Sequence, residues 1–165
     1  MFLKLLFLSC TMVILCQMPE LGLSCFGCCG NKYANKRKLM RDINKNTLEF
    51  DNKKSTGDFM SRTTHLRSSG ICANLIFKND IFYCPGHPAI NSGRDYRNLD
   101  PDCDKDFLCK TFGLFQQWDE AKKQRFLAYI KEKKPDSFTY SIKMDNGTFL
   151  KEFEEREKEK PQKNL

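Results

Sequence analysis

The chain has 165 residues, 28 Lys and Arg against 21 Asp and Glu, a net charge of +7 and nine cysteines. This length fits one domain. It contains no GxSxG elbow, no Gly-rich phosphate loop and no HExxH helix, which excludes the enzyme classes that announce themselves by such motifs.

The N-terminus carries Lys4 and then LLFLSCTMVILC, a run of twelve uncharged residues. Gly22-Leu23-Ser24 follows, with small residues at the positions that signal peptidase reads, so residues 1–24 read as a secretory signal peptide cut after Ser24. The run is short for a membrane span of about 20 residues. A lipid-modified Cys25 is disfavoured because Gly22 stands where a Leu-like residue is required. The cut leaves seven cysteines: Cys25, Cys28, Cys29, Cys72, Cys84, Cys103 and Cys109. After a secretory signal these are disulfide candidates, six able to pair and one left over. The spacing does not select the partners.

Residues 31–70 are polar and basic, with ten Lys and Arg between Lys32 and Arg67 against Asp42, Glu49, Asp51 and Asp58. Tyr33, Met40 and Ile43 sit at helical spacing and predict a short helix over 33–43. Residues 51–69 read as a long loop. Two apolar runs, 71–77 and 81–84, flank Lys78-Asn79-Asp80 and predict a β-hairpin ended by Pro85-Gly86. Leu75, Ile76, Phe77, Ile81 and Phe82 are its core candidates. A polar loop over 91–102 leads to a short helix over 101–112. Residues 118–133 form the strongest helix pattern, capped by Asp119, striped by Trp118, Phe126 and Ile130, and stopped by Pro135. In FTYSIKMDNGTFLKEF, Asn146-Gly147 predicts a type I′ hairpin with Tyr140, Ile142, Met144, Phe149 and Phe153 on one face.

The expected fold class is therefore α+β: a small disulfide-stapled domain with two β-hairpins and one main C-terminal helix. Residues 25–153 form that single cysteine-rich domain, and residues 154–165 form a charged, disordered tail. Mature chains of this size with a high charge fraction bury a modest core, and each native disulfide contributes about 2–5 kcal/mol.

Chemistry-bearing residues are few. Cys25-x-x-Cys28 and Cys84-Pro-Gly-His87 together supply four tetrahedral zinc ligands, although an oxidising compartment removes thiolates. His65 and His87 are the only histidines, enough for paired acid–base cleavage of RNA. The basic residues 32–67 offer phosphate contacts to RNA or an anionic surface. Asp95, Asp100, Asp102, Asp104 and Asp106 lack the spacing of a calcium loop. Asn146-Gly147-Thr148 is the single glycosylation sequon. No cofactor is indicated.

The segment NLIFKNDIFYCPGH resembles a strand of small secreted fungal ribonucleases of the T1 type, in which a histidine ends a strand. That likeness implies a secreted ribonuclease, or an inactive ribonuclease-like RNA-binding protein, with His65 and His87 as its catalytic pair. The whole layout of leader, short mature chain and many cysteines resembles the small secreted cysteine-rich effectors of plant-pathogenic fungi. That resemblance implies an extracellular virulence protein, delivered to and translocated into host cells, that binds a host protein without turnover. The binding reading is the leading expectation; a ribonuclease and a zinc-binding module are the alternatives.

Overall fold

The computed structural model describes residues 15–62 and 65–159, so the expected n-region around Lys4, Cys10 and the chain end at 160–165 lie outside the described residues. Chain order begins with a small antiparallel hairpin of β1 (Gln17–Met18) and β2 (Leu23–Ser24), joined by a 3-10 turn over Pro19–Leu21. This hairpin uses residues ahead of the expected cut after Ser24. Asn35 accepts from the Lys38 amide at 3.0 Å and starts α1 (Lys36–Asp51). Leu39, Asp42, Ile43 and Asn46 form its buried stripe. The helix outruns the expected 33–43 because Asn46 and Thr47 also face inward, where they hydrogen-bond backbone carbonyls of Cys72, Leu75 and Phe77.

The stretch expected to be a loop over 51–69 holds a further helix, α2 (Thr56–Met60), capped by Ser55. It forms there because Phe59 and Met60, adjacent on the chain, are both fully buried. The expected central hairpin is present as β3 (Ile76–Lys78) and β4 (Ile81–Tyr83), paired Ile76↔Tyr83, Phe77↔Phe82 and Lys78↔Ile81. Asn79 and Asp80 close it with φ of 52° and 61°, the two positive values a type I′ turn requires. After a segment whose regular structure is a 3-10 turn over Tyr96–Leu99, the chain is helical: α3 (Lys110–Gln117), α4 (Glu120–Lys133), α5 (Ser137–Asp145) and α6 (Thr148–Glu159). Helix α4 matches the expected strong helix, with Asp119 accepting from the Lys122 amide at 2.7 Å.

The described residues thus form a small mixed α/β domain with six helices and two small antiparallel hairpins. Two parts of the expected fold class need correction. The C-terminal hairpin is absent: residues 139–153 belong to α5 and α6, and Asn146-Gly147 is the joint between them. Asn146 has φ −80° and only Gly147 is left-handed, at φ +73°, which is a helix C-terminus rather than a I′ turn. Asp136 favours the helical choice, since it accepts from the Thr139 amide at 2.8 Å and caps α5. The single main helix is likewise replaced by a set of helices, and α6 carries helical structure through Glu159, six residues into the expected tail.

Three apolar groups make up the core. The first joins Leu15, Met18 and Leu23 of the N-terminal hairpin region to Phe115, Phe126, Tyr129, Ile130, Tyr140, Met144, Phe149 and Phe153. The second gathers Phe26, Leu39, Ile43, Ile71, Leu75 and Phe82. The third holds Phe59, Met60 and Ile76. Helix α5 lies between the first two, with Tyr140 and Met144 on one side and Phe138 and Ile142 on the other. No described helix is long and apolar enough to cross a membrane.

Candidate functional site

The cysteines occupy the seams between these groups. Cys25 leaves the end of β2, and its amide donates to the Cys16 carbonyl at 2.9 Å. Phe26 is anchored next: its amide donates to Ser141 Oγ at 3.0 Å, and its ring meets Phe82 edge-on at 4.9 Å. Gly27 lies so close to α5 that a Cβ there would stand 2.8 Å from the Ser141 carbonyl oxygen. The Cys25-Phe-Gly-Cys28 turn is therefore pinned to α5, with Cys28 exposed and Cys29 half-buried. Their sulfurs are 4.0 Å apart.

Beyond Cys29 the chain meets residues 70–72. Gly30 bridges Ile71 in antiparallel fashion, and the Cys72 amide donates to the Cys29 carbonyl at 2.8 Å. Two glycines permit this approach: a Cβ on Gly30 would sit 2.1 Å from the Gly70 carbonyl, and one on Gly70, at φ +84°, 2.1 Å from the Asn31 carbonyl. Cys84 follows β4, and Cys103 and Cys109 belong to the irregular segment ahead of α3, where Cys109 Sγ accepts from the Phe112 amide.

None of the eight described cysteines is disulfide-bonded in this structure. Burial pushes the thiols of Cys16 and Cys84 up to about 12 and that of Cys103 up to about 11, and raises Cys25, Cys72 and Cys109 too. Cys28 moves the other way, because the Cys29 thiol hydrogen-bonds its thiolate; Cys29 is correspondingly raised.

The basic segment is partly turned inward. Arg62 and Arg67 both pair with Glu49 and are only 11% and 12% exposed. Arg67 Nε donates to Asn46 Oδ1 at 2.6 Å, and Arg62 donates to the Ala73 carbonyl and Asn74 Oδ1. Asn74 passes the network on to the buried Asp100 at 2.5 Å. These two arginines therefore hold residues 72–75 in place.

His65 Nδ1 lies against the Asp102 carboxylate, and ligand-type atoms of His65, Asp100 and Asp102 lie within 4.8 Å of one another. His87 stands elsewhere in the bonding pattern. Its Nδ1 accepts from the Ala89 amide at 3.2 Å, and its pKa is lowered first by burial and then by Arg97. No hydrogen bond or ion pair joins His65 to His87 among the described residues. The alternative zinc set of Cys25, Cys28, Cys84 and His87 is not assembled, since no three of these donors fall within 4.8 Å of one another.

Asn146 is exposed, and its Oδ1 accepts from both the Thr148 amide and the Thr148 hydroxyl, at 3.0 and 2.6 Å. Sequence reasoning placed Cys16 in the leader and so missed its place opposite Cys25. The signal was the spacing of Cys16 with Met18 and of Leu23 with Cys25, two apart as on one face of a strand, at and just beyond the end of an apolar run. No protein-family model matches the chain, and neither a curated protein nor a solved structure matches it.

Proposed function

We propose that the chain is an exported, cysteine-crosslinked binding protein that recognises a partner protein through the segment between Cys84 and Cys109. The observation that carries this reading is the exposure along that segment of Ile90, Leu99, Phe107 and Leu108. Long connections with little regular structure are commonly binding elements on a rigid frame. This one is tied down at intervals: Asn91 donates to the Pro85 carbonyl at 2.6 Å, and Arg97 grips the Asp95 carboxylate at 2.8 Å. Apolar side chains left outside on an anchored loop fit a protein partner better than the solvated phosphates of RNA. By the effector resemblance that partner is a host protein, and Asn146 is an exposed glycan acceptor at the joint between α5 and α6.

Export is read from the charged and apolar leader, and the packing of Leu15, Met18 and Leu23 into the core supports a leader that ends ahead of Leu15 rather than after Ser24. The test is crosslinking from a photoreactive residue at position 108 in the medium of producing cells mixed with host extract. Adducts seen with the wild-type loop and lost with Phe107→Ser support the reading; adducts indifferent to that change refute it. Cleavage of total RNA by the purified protein, abolished by both His65→Ala and His87→Ala, would replace it with the ribonuclease reading.

A further inference from the structure

We infer that the cysteines from Cys16 onward close four disulfides, Cys16–Cys25, Cys28–Cys109, Cys29–Cys72 and Cys84–Cys103, leaving no odd thiol in the folded domain. The pairing rests on the export reading for its oxidising compartment and on the fold for its geometry.

Two of the pairs are fixed by antiparallel register. The β1–β2 ladder runs Met18↔Leu23 and Gln17↔Ser24, so the next opposed residues are Cys16 and Cys25, which already share a 2.9 Å backbone hydrogen bond. The Gly30↔Ile71 bridge places Cys29 opposite Cys72 in the same way, with a 2.8 Å backbone hydrogen bond between them. Opposed, hydrogen-bonded residues of antiparallel strands have Cα atoms about 5.5 Å apart, inside the range of about 4.4–6.8 Å that a disulfide spans.

The other two pairs follow from neighbourhood. By position the cysteines fall into two sets: Cys16, Cys25, Cys28 and Cys109 in one, Cys29, Cys72, Cys84 and Cys103 in the other. A Cβ on Gly27 would stand 2.9 Å from Asp145 Cβ, and Thr111 Oγ1 donates to the Met144 carbonyl at 3.3 Å, so Cys28 and Cys109 both flank the end of α5. The Tyr96 amide donates to the Gly86 carbonyl at 3.0 Å, the Cys103 amide to the Asp100 carbonyl at 3.2 Å, and Asn74 to Asp100 at 2.5 Å. These bonds bring the segments of Cys84 and Cys103 to Cys72 and its partner Cys29. Removing the ladder pairs leaves Cys28 with Cys109 and Cys84 with Cys103. Adjacent Cys28 and Cys29 thus lead into different sets, tying the pinned turn to the start of α3 on one side and to the Gly70 turn on the other. Two tetrathiolate zinc sites are the rival use of such sets. A tetrahedron with Zn–S of about 2.3 Å requires sulfurs about 3.8 Å apart, whereas no three of these sulfurs lie within 4.8 Å of one another.

Each bridge forms by thiol–disulfide exchange. A thiolate attacks an external disulfide, giving a mixed disulfide and releasing one thiol; the partner thiolate then displaces the second external thiol. Two protons and two electrons leave each cysteine pair, and the external disulfide is reduced to two thiols. Exposed Cys28, with its thiolate favoured by the Cys29 thiol, is the natural first attacker.

The test uses the full chain, denatured and reduced, then refolded in oxidised and reduced glutathione. Single Cys→Ser variants are alkylated under denaturing conditions, and the newly labelled thiol is read by mass spectrometry. Cys109→Ser is expected to free Cys28, Cys72→Ser to free Cys29, Cys16→Ser to free Cys25, and Cys103→Ser to free Cys84. Cys25 freed by Cys109→Ser, a Cys28–Cys29 link, or refolded protein that holds zinc with its thiols unoxidised overturns the pairing. A parallel thiol trap on producing cells separates the two readings: reduced cysteines there, with the expected pairs formed in glutathione, refute export and leave the pairing standing.

Discussion

Starting the chain at Cys25 instead of Leu15 is the sharpest test of where the folded domain begins. Leu15, Met18 and Leu23 are all 6% exposed or less, and each fully buried side chain of this kind contributes about 2 kcal/mol by transfer from water. Removing them together costs about 6 kcal/mol, before counting the cavity left against Tyr140 and Phe126. Hydrogen bonds go as well: Tyr140 Oη donates to the Leu15 carbonyl at 2.8 Å, the Ser24 hydroxyl accepts from the Phe82 amide at 2.9 Å, and Gln17 donates to the Phe82 carbonyl at 2.9 Å. Since a domain of this size has about 5–15 kcal/mol in all, the shorter chain should be unfolded or nearly so. The assay is urea denaturation of residues 15–165 and 25–165, followed by circular dichroism and Trp118 fluorescence. It is run in reductant so that Cys16 contributes no bridge. With a slope of about 1–3 kcal/mol/M, the midpoint should fall by about 2 M or more, or the transition should vanish. Equal midpoints would show that residues 15–24 lie on the domain without supporting it, and a cut after Ser24 would stand.

Three further outcomes follow from individual contacts. Gly70→Ala should destabilise by about 2 kcal/mol or more, because a left-handed φ and a carbonyl 2.1 Å from the new Cβ both oppose it; an unchanged melting temperature would contradict the close approach of residues 30 and 70. Phe107→Ser with Leu108→Ser should leave stability within about 0.5 kcal/mol, since both side chains are half exposed, while partner crosslinking is lost; a large stability change would mean the loop is part of the core. The Arg97 guanidinium holds the Asp95 carboxyl down to about 2, so Asp95 contributes stability above its unfolded value of about 3.9 that is lost as pH falls toward 2. Arg97→Ala should flatten the dependence of the urea midpoint on pH between about 4 and 2; a variant as steep as wild type would show that other carboxylates carry it.

How much of this was legible in the sequence depends on which periods a segment satisfies. The central hairpin was readable because β-branched and aromatic runs flank Asn79-Asp80, and helix 118–133 because Asp119, an apolar stripe and Pro135 agree. The C-terminal segment deceived because Tyr140, Met144, Phe149 and Phe153 are four apart within each element, a spacing shared by strand alternation and helix periodicity. Ile142 decides between them. In a strand it would join Tyr140 and Met144 on one face, whereas in α5 it packs with Phe138 in the second apolar group. Helix α2 was hidden for another reason: its stability comes from burying Phe59 and Met60 against Ile76, contacts invisible to local pattern.

The cysteines show the same limit from the other side. Their residue type announced a framework, but composition could not say which were partners, and treating Cys16 as leader left an odd number. In the fold Cys16 stands opposite Cys25, and the described cysteines number eight. An apolar run that ends in Leu15-Cys16-Gln17-Met18 can serve a leader at its start and a strand at its end, because both need apolar residues and nothing in hydropathy marks where one stops. What separates them is tertiary: Met18 has no exposure at all, and the Cys16 carbonyl has the Cys25 amide as its partner. Once Cys16 belongs to the domain, the vicinal pair Cys28-Cys29 stops being a crowded N-terminus and becomes a junction. In the inferred pairing Cys28 leads to the start of α3 and Cys29 to the Gly70 turn, and the turn between them and Phe26 is the one that Gly27 holds against α5.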